Sequence, residues 1–330
     1  MKPETDALLQ MGLSAHRTGR RGQAETLYRE ALKQEPRNAS ANNLLGALLM
    51  EMDKNVEALS FLRKAAMNAP AYEAAQTNYG SLLYVLSKKG EARLALAEAK
   101  TWAKKQPQNK VARHWAAALG AGGDVQAAMP ESLVRNTFDG FAKEFDAKLA
   151  KLDYRVPELI AGALKDVVKP PLDILDAGCG TGLMALHLKP WARSLAGVDL
   201  SPAMIERARS RKLYDALDAG ELVAYLKAHG DSFDLIAAAD VFCYLGDLGP
   251  VLAASQKSLR KDGLLAFTVE AADAGHFTLG QSGRYAHGEG YVRDALAAAG
   301  FSVISLARDV ARHEDGQPVP CFVVVAGEGR

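Results

Sequence analysis

Glycine returns every 34 residues in the first third of the chain, at Gly12, Gly46 and Gly80 (46 − 12 and 80 − 46). Ala24, Ala58 and Ala92 keep the same step, as do Ala31, Ala65 and Ala99. Pro36 and Pro70 follow in phase, whereas the third copy has Lys104 there and Pro107 three residues later. Three independent positions in one phase restrict this region to stacked units of one shape, none able to bury its apolar face alone. The small residues fall where two antiparallel helices must approach closely, and each proline ends the second helix of a pair. Leu8, Met11, Leu45, Leu49, Tyr79 and Leu83 supply an apolar stripe at helical spacing. The pattern predicts helix pairs over about residues 5–38, 39–72 and 73–106. Residues 112–128, with Trp115 and the break Gly120-Ala121-Gly122-Gly123, read as a degenerate cap.

In length and small-residue pattern this region resembles the tetratricopeptide repeat. The resemblance implies a helical solenoid over residues 1–128. It implies either a groove for a peptide or partner protein, or a packing face that joins a second copy. Met129-Pro130-Glu131-Ser132 then interrupts the helical pattern and opens a second domain, residues 130–330.

Composition narrows the partners. A net charge of +1 gives no overall drive toward nucleic acid or an anionic membrane, and neither is expected. Cys179, Cys243 and Cys321 lie far apart, which suits a reducing compartment rather than a disulfide framework. The stretch Met1-Lys2-Pro3-Glu4-Thr5-Asp6 is polar, and no apolar run approaches a membrane span, so a cytoplasmic protein is expected.

The second domain declares its chemistry at Asp173-Ile174-Leu175-Asp176-Ala177-Gly178-Cys179-Gly180-Thr181-Gly182. The apolar residues before Asp176 read as a buried strand, and the glycines as a tight turn into a helix near Leu183. Glycine lets the backbone approach a ligand closely, beside the free N–H groups of a helix start. A dinucleotide site wants G-x-G-x-x-G, but position 183 is Leu183. An acid two residues before a G-x-G-x-G series suits S-adenosylmethionine instead, which offers an ammonium group and no pyrophosphate. Leu195-Ala196-Gly197-Val198-Asp199 reads as the second strand, ending in a carboxylate able to take both ribose hydroxyls. Leu200 follows. Ser201 should cap the next helix with Pro202 at its first position, and Met204 should lie over the adenine face.

Residues 234–240 and 264–270 read as the fourth and fifth strands. A helix from about Tyr291 should end at Gly300, before strands over 302–308 and 321–326 joined at Asp315-Gly316. Such a final antiparallel hairpin separates class I methyltransferases from an all-parallel dinucleotide fold.

Taken together, residues 130–330 resemble the class I S-adenosylmethionine-dependent methyltransferases. Within them they are similar to a bacterial group with tetratricopeptide repeats and to trans-aconitate-type small-molecule methyltransferases. The matching segments include Phe138-Asp139, Phe145-Asp146, 152–157, the glycine loop, 213–217, 240–248 and 284–287. The implied architecture is a helical solenoid followed by a Rossmann-like α/β domain with a seven-stranded sheet ending in an antiparallel hairpin. The resemblance implies that Asp176 and Gly178 hold the methionine end and Asp199 the ribose, with Gly180 and Gly182 of the same loop also binding the cofactor. Glu221 and the Leu222 N–H would meet the adenine, although Asp is commoner than Glu at that position. Asp240 would sit beside the ammonium or the transferred methyl, and Tyr154 would cover the cofactor as part of a lid. S-adenosylhomocysteine is the implied product.

Methyl transfer from a sulfonium is an in-line displacement, so the protein aligns the acceptor and, where needed, removes a proton. His287 is the candidate base, with Tyr285, Tyr244 and Glu270 as orienting groups. Its segment, 282–288, reads as a glycine-flanked loop that could close over a substrate. No His/Cys/Asp cluster has metal-ligand spacing, so no metal is expected. The leading reading is methyl transfer to an O or N acceptor on a small molecule or carrier-bound metabolite. The alternatives are a protein acceptor delivered by the repeats, or a non-catalytic scaffold that retains the cofactor fold.

Overall fold

In the computed structural model, which describes residues 3–328, the 34-residue period becomes three helix pairs. They are α1 (Pro3–Arg17) with α2 (Arg21–Gln34), α3 (Ala39–Glu51) with α4 (Asn55–Asn68), and α5 (Glu73–Lys88) with α6 (Ala92–Lys105). A single helix, α7 (Lys110–Ala118), follows. Met1 and Lys2, part of the polar N-terminal stretch, lie outside the described residues.

The repeated glycines are where helices touch. A Cβ on Gly12 would fall 2.4 Å from the Tyr28 ring, and one on Gly46 2.4 Å from Leu62. On Gly80 it would fall 2.1 Å from the Trp115 indole, so α7 supplies in the third pair what α2 and α4 supply in the first two. Ala24, Ala31, Ala58, Ala65 and Ala99 are fully buried, whereas Ala92, at the start of α6, is exposed. Asn38 and Asn109 cap α3 and α7 through their side-chain oxygens. Gln76 Nε2 donates to the Ala66 and Ala69 carbonyls, and Asn109 Nδ2 donates to Gln76 Oε1, which ties successive helices together.

The chain divides into two compact units between Val125 and Gln126. The second begins with α8 (Glu131–Phe141), α9 (Phe145–Lys151) and α10 (Val156–Leu164). Next come β1 (Leu172–Ala177), α11 (Ala185–Leu188), β2 (Ala192–Asp199), α12 (Pro202–Ser210), β3 (Ala216–Ala219) and α13 (Leu222–Ala228). The remainder is β4 (Phe233–Ala238), α14 (Gly249–Ser258), β5 (Leu259–Ala272), β6 (Phe277–Leu279), β7 (Tyr285–Gly288), α15 (Glu289–Ala298), β8 (Phe301–Glu314) and β9 (Gln317–Glu328).

Strands β3-β2-β1-β4-β5 are parallel in that order. Strand β9 pairs antiparallel with β5, and β8 with β9, so the final hairpin is present. Asp315 and Gly316 both have positive φ (50° and 75°), as a two-residue hairpin turn requires. The sheet has nine strands, not the expected seven. Strand β5 outruns β4, and its last residues, Glu270–Ala272, pair with Ala286–Gly288 of β7, which satisfies backbone groups otherwise left bare. Another departure is the helix expected near Leu183. It shrinks to the four residues of α11, and Pro190 stands inside the 3-10 turn that follows.

Successive residues of the central strands point to opposite faces. Ile174, Leu235 and Ala266 join Val156, Ile160 and Leu164 of α10 on one side. Leu175, Ile236 and Phe267 join Leu252 of α14 and Leu296 of α15 on the other. A sheet covered on both faces exposes its strand ends, and there the chain places its polar loops.

Candidate active site

Gly178, Gly180 and Gly182 all have positive φ (69°, 53° and 89°), a backbone that side chains disfavour. A Cβ on Gly178 would lie 2.5 Å from Val241, so this turn also needs the space. Asp176, in β1 just before it, is buried. Its Oδ2 accepts a 2.6 Å hydrogen bond from the Tyr214 hydroxyl, while Oδ1 is buried with no partner. Burial, opposed by the Tyr214 hydrogen bond, pushes the carboxyl up to about 7. At the end of β2, Asp199 accepts from the N–H groups of Gly180 (2.9 Å) and Ser201 (2.8 Å). Its pKa is raised by burial, against those two bonds. Asp176, Gly178, Gly180, Tyr154, Phe145 and Met184 line one half-open cleft.

Two Phe-Asp pairs fasten α8 and α9 to the rim of this cleft. Asp139 Oδ1 accepts from Ser201 Oγ (2.5 Å) and the Ala203 N–H (3.2 Å) at the start of α12. Asp146 accepts from Thr181 Oγ1 of the glycine loop and from Arg211 Nη2, both at 2.5 Å. Arg211 Nε also donates to the Thr181 carbonyl. The Phe138, Phe141 and Phe145 rings cluster 5.4–6.0 Å apart, and Phe138 meets Tyr244 edge-on at 5.6 Å.

Beyond β4 lies a charged cluster of which sequence reasoning named only part. Asp240 has φ 61°, rare for a residue with a side chain, and its N–H donates to Thr268 Oγ1 at 3.0 Å. Both its carboxylate oxygens accept from Arg312 Nη1, at 3.0 and 2.8 Å. Arg312, only 3% exposed, also donates to Glu270 Oε1 (2.6 Å) and Glu314 Oε1 (2.7 Å). Arg284 joins Glu270 through Nε and Glu314 through Nη2. The register of β8 against β9 slips at Val310/Arg312, and the bypassed Ala311 accepts from the Arg155 N–H at 2.9 Å. The His313 N–H donates to the Leu152 carbonyl at 2.7 Å, so β8 grips the chain on both sides of Tyr154. Arg312 and Glu314 carried no local signal, being ordinary charges on a strand that projects past its apolar stretch. Tyr214 stood inside a matching segment without an assigned role.

Several expected site residues sit differently from the reading. Segment 282–288 is not an open loop, because Tyr285–Gly288 forms β7. His287 is fully buried, and its Nε2 donates to the Gly246 carbonyl at 3.1 Å, while Nδ1 has no partner. Burial pulls it down to about 4, so the imidazole is neutral at physiological pH. Tyr285 is also buried, its hydroxyl donating to the Gln126 carbonyl at 2.8 Å. Glu221 spends its carboxylate oxygens capping α13, on the N–H groups of Val223 (2.8 Å) and Ala224 (2.7 Å). Leu222 opens that helix. Met204 is fully buried and has no open face for an adenine ring, whereas Leu200 is half-buried.

A family profile described as a methyltransferase domain matches residues 149–306. A malonyl-(acyl-carrier protein) O-methyltransferase of Geobacter sulfurreducens is 31% identical over 210 residues, 58% of this chain and 77% of that protein. The enzyme of the same name from Acetivibrio thermocellus is 31% identical over 153 residues, 46% of this chain, and the match spans only 52% of that relative. In fold, the chain is similar to Burkholderia thailandensis 1,6-didemethyltoxoflavin-N1-methyltransferase, whose structure holds bound 1,6-didemethyltoxoflavin and S-adenosylhomocysteine. The TM-score is 0.50 at 20% identity, covering 63% of this chain and 94% of the other.

Proposed function

This chain belongs to the class I S-adenosylmethionine-dependent methyltransferases, and from that premise we propose that it methylates an O or N acceptor on a small or carrier-bound metabolite. One observation carries the reading: the orphaned Oδ1 of Asp176 on the wall of the glycine-loop cleft. An unpaired buried carboxylate oxygen costs stability, and the ammonium of a methionine moiety would repay it. When bound, S-adenosylmethionine supplies an electrophilic methyl on a sulfonium centre.

The chain's own residues divide the remaining work. Asp176 and the backbone at Gly178, Gly180 and Gly182 receive the methionine end, Asp199 the ribose, and the edge at Leu200, Glu221 and Leu222 the adenine. Glu221 can do so only through lone pairs its capping bonds leave over. Tyr154 and Phe145 cover the cleft and exclude water. Asp240, fixed by Arg312, forms the wall on the acceptor side. His287 and Tyr285, buried and bonded to the Gly246 and Gln126 carbonyls, serve the fold and move no proton.

The helix pairs of residues 1–128 are read as tetratricopeptide repeats that bind a partner or a second copy. The 34-residue period and the tight seats at Gly12, Gly46 and Gly80 support this. The relatives named for a carrier-bound acceptor support the substrate class. Calorimetry tests the cofactor reading: S-adenosylhomocysteine should bind and NADH should not, and the reverse result would refute it.

A further inference from the structure

Charge is divided unevenly between the two units. Residues 1–125 hold 18 Lys and Arg against 12 Asp and Glu, whereas residues 126–330 hold 22 against 27. The excess of the first unit gathers in its last two helices. Within α6 and α7, Arg93, Lys100, Lys104, Lys105, Lys110 and Arg113 are all exposed, and Glu98 is the one acid. Glu98 is spent inside the unit, accepting from Arg63 Nη1 at 3.0 Å and from the Tyr79 hydroxyl at 2.6 Å.

Three of these cations form a single row. At 3.6 residues per turn, Arg93, Lys100 and Lys104 fall within about 20° of one line along α6, and the row is about 17 Å long. Helix formation does not ask for it. Lys104 suits the last turn, but Arg93 stands in the first, where the helix dipole disfavours a cation and no acid is present. Lys100 and Lys104 lie four apart and repel each other. Among the described residues, none of the three has an acidic partner. Their surroundings set them apart from the preceding repeat. The 34-residue mates of Arg93 and Lys100 are Leu59 and Ala66 of α4, both buried, so this face is covered in the second pair and bare in the third. Solubility requires the end of a stack of repeats to be polar. Mixed charges would meet that need, and it leaves the single sign unexplained.

Such a row attracts an anion, and its neighbours choose among anions. Trp102 is fully buried and Trp115 only 4% exposed, so bases would find no stacking platform here. Among the described residues of α6 and α7 no large apolar side chain is exposed, so nothing there would enter a bilayer. A straight line of point charges instead matches carboxylates repeated every third or fourth residue along another helix. We propose, resting on the reading of residues 1–128 as repeats that bind a partner, that the Arg93–Lys100–Lys104 row docks an acidic helix of a partner protein.

The test is fluorescence anisotropy with the full chain and a labelled helical peptide of about 20 residues, its glutamates in one row at i, i+4, i+7 and i+11. The same peptide with glutamine for glutamate, a single-stranded oligothymidylate and phosphatidylglycerol vesicles are the comparison probes. The acidic peptide should bind at low salt and the glutamine peptide should not. Binding should weaken about tenfold or more as salt rises toward about 0.5 M, where exposed charges are screened. Lys100→Glu with Lys104→Glu should weaken it about tenfold or more, and Lys100→Gln with Lys104→Gln should give a smaller loss in the same direction. Arg17→Glu with Arg20→Glu makes an equal change of net charge in the same unit, yet should alter affinity less than about twofold. Thermal melts followed by circular dichroism check that each variant folds. Equal losses in the two charge reversals would overturn the proposal, because net charge and not the row would then be felt. So would tighter binding of the oligonucleotide or the vesicles, which would give the row to nucleic acid or to a membrane, or no binding of the acidic peptide. Sedimentation of the chain alone separates that last failure from failure of the reading beneath it. A chain that self-associates but ignores the peptide overturns the acidic partner alone, whereas a monomer that binds no probe removes the binding role of the repeats as well.

Discussion

Tyr214 donates its hydroxyl hydrogen to Asp176 Oδ2 across 2.6 Å and leaves Oδ1 of the same buried carboxylate without a partner. The tyrosine comes from the segment before β3 and the acid from β1. A residue 38 positions downstream thus aims the open oxygen at the cleft. Its own phenol is pushed far up, by burial and then by Asp176, so it remains a donor.

The pH dependence of cofactor binding should report this carboxyl. With no ligand, burial pushes Asp176 up to about 7, and an arriving ammonium favours the ionised form. Binding below that pH must therefore release a proton. S-adenosylhomocysteine affinity should climb by up to about tenfold per pH unit as pH rises toward 7, then level off. Asp176→Asn should flatten the climb. The ligand-free protein moves the other way: a raised folded pKa gives stability that is whole below the unfolded value and lost as pH rises through about 7. At pH 8, Asp176→Asn should therefore melt higher than wild type. Calorimetry in buffers of different ionisation enthalpy counts the released proton directly, and a count of zero at pH 6 would remove Asp176 from the ammonium site.

Asp199 has a different duty. It already accepts from Gly180 and Ser201, so it shapes the glycine loop as well as offering lone pairs to a ribose. Asp199→Ala should weaken S-adenosylhomocysteine binding by about 2–4 kcal/mol while the chain stays folded, the worth of one or two charged hydrogen bonds after partial solvation. Unchanged affinity in a folded variant would show that the ribose is held elsewhere.

Helix α9 has no buried residue, so the cover over the cleft depends on the two aspartate contacts at its edges rather than on a core. Asp146→Ala releases Thr181 and Arg211 together. It should speed S-adenosylhomocysteine dissociation about tenfold and open residues 141–155 to proteolysis, with little change in overall melting. Stopped-flow release and limited digestion would settle the matter, and wild-type values in both would mean the cover is held by its phenylalanines.

How much of this was legible in the sequence follows from the range of each interaction. The helix pairs were readable because Gly12, Gly46 and Gly80 mark close contacts that recur by period. Asp176, the glycine loop and Asp199 were readable because one turn and two adjacent strand ends bring them together. The Arg312 cluster was not, because it joins the turn after β4, β5, the segment before β7 and the end of β8, and no local pattern records such a meeting. The loop reading of 282–288 failed for a related reason. Four residues between glycines look irregular until the projecting end of β5 offers them a partner. Glu221 followed the same lesson on a smaller scale, since a carboxylate just before a helix caps it first.

Two glycine substitutions in the helical unit should have opposite signs. Gly46→Ala places a methyl 2.4 Å from Leu62, and overpacking there should cost about 1–3 kcal/mol, more than the gain in helix propensity. Gly22, in α2, has nothing within 4 Å of where its Cβ would stand, so Gly22→Ala should stabilise by up to about 1 kcal/mol. Thermal or urea unfolding of both variants checks the pair, and equal effects would mean the period does not mark helix contacts.

His287 separates a structural role from a chemical one. Its folded pKa is pulled from 6.5 to about 4, first by burial and against the Gly246 hydrogen bond. A depressed histidine contributes stability that is present above the unfolded value and lost as pH falls from about 6.5 toward 4. The difference corresponds to an upper bound of about 3.5 kcal/mol, at roughly 1.4 kcal/mol per unit. His287→Gln can still donate to the Gly246 carbonyl but cannot take up the proton. It should therefore lose less stability than wild type between pH 6.5 and 4, measured as the difference between two urea titrations. Turnover of this variant near pH 7.5 should remain within a few-fold of wild type, because a buried ring bonded to a backbone carbonyl has no proton to collect from an acceptor. A loss of about 10²-fold or more at unchanged stability is the signature of a missing general base. That result would return His287 to the chemistry and require β7 to open during the catalytic cycle.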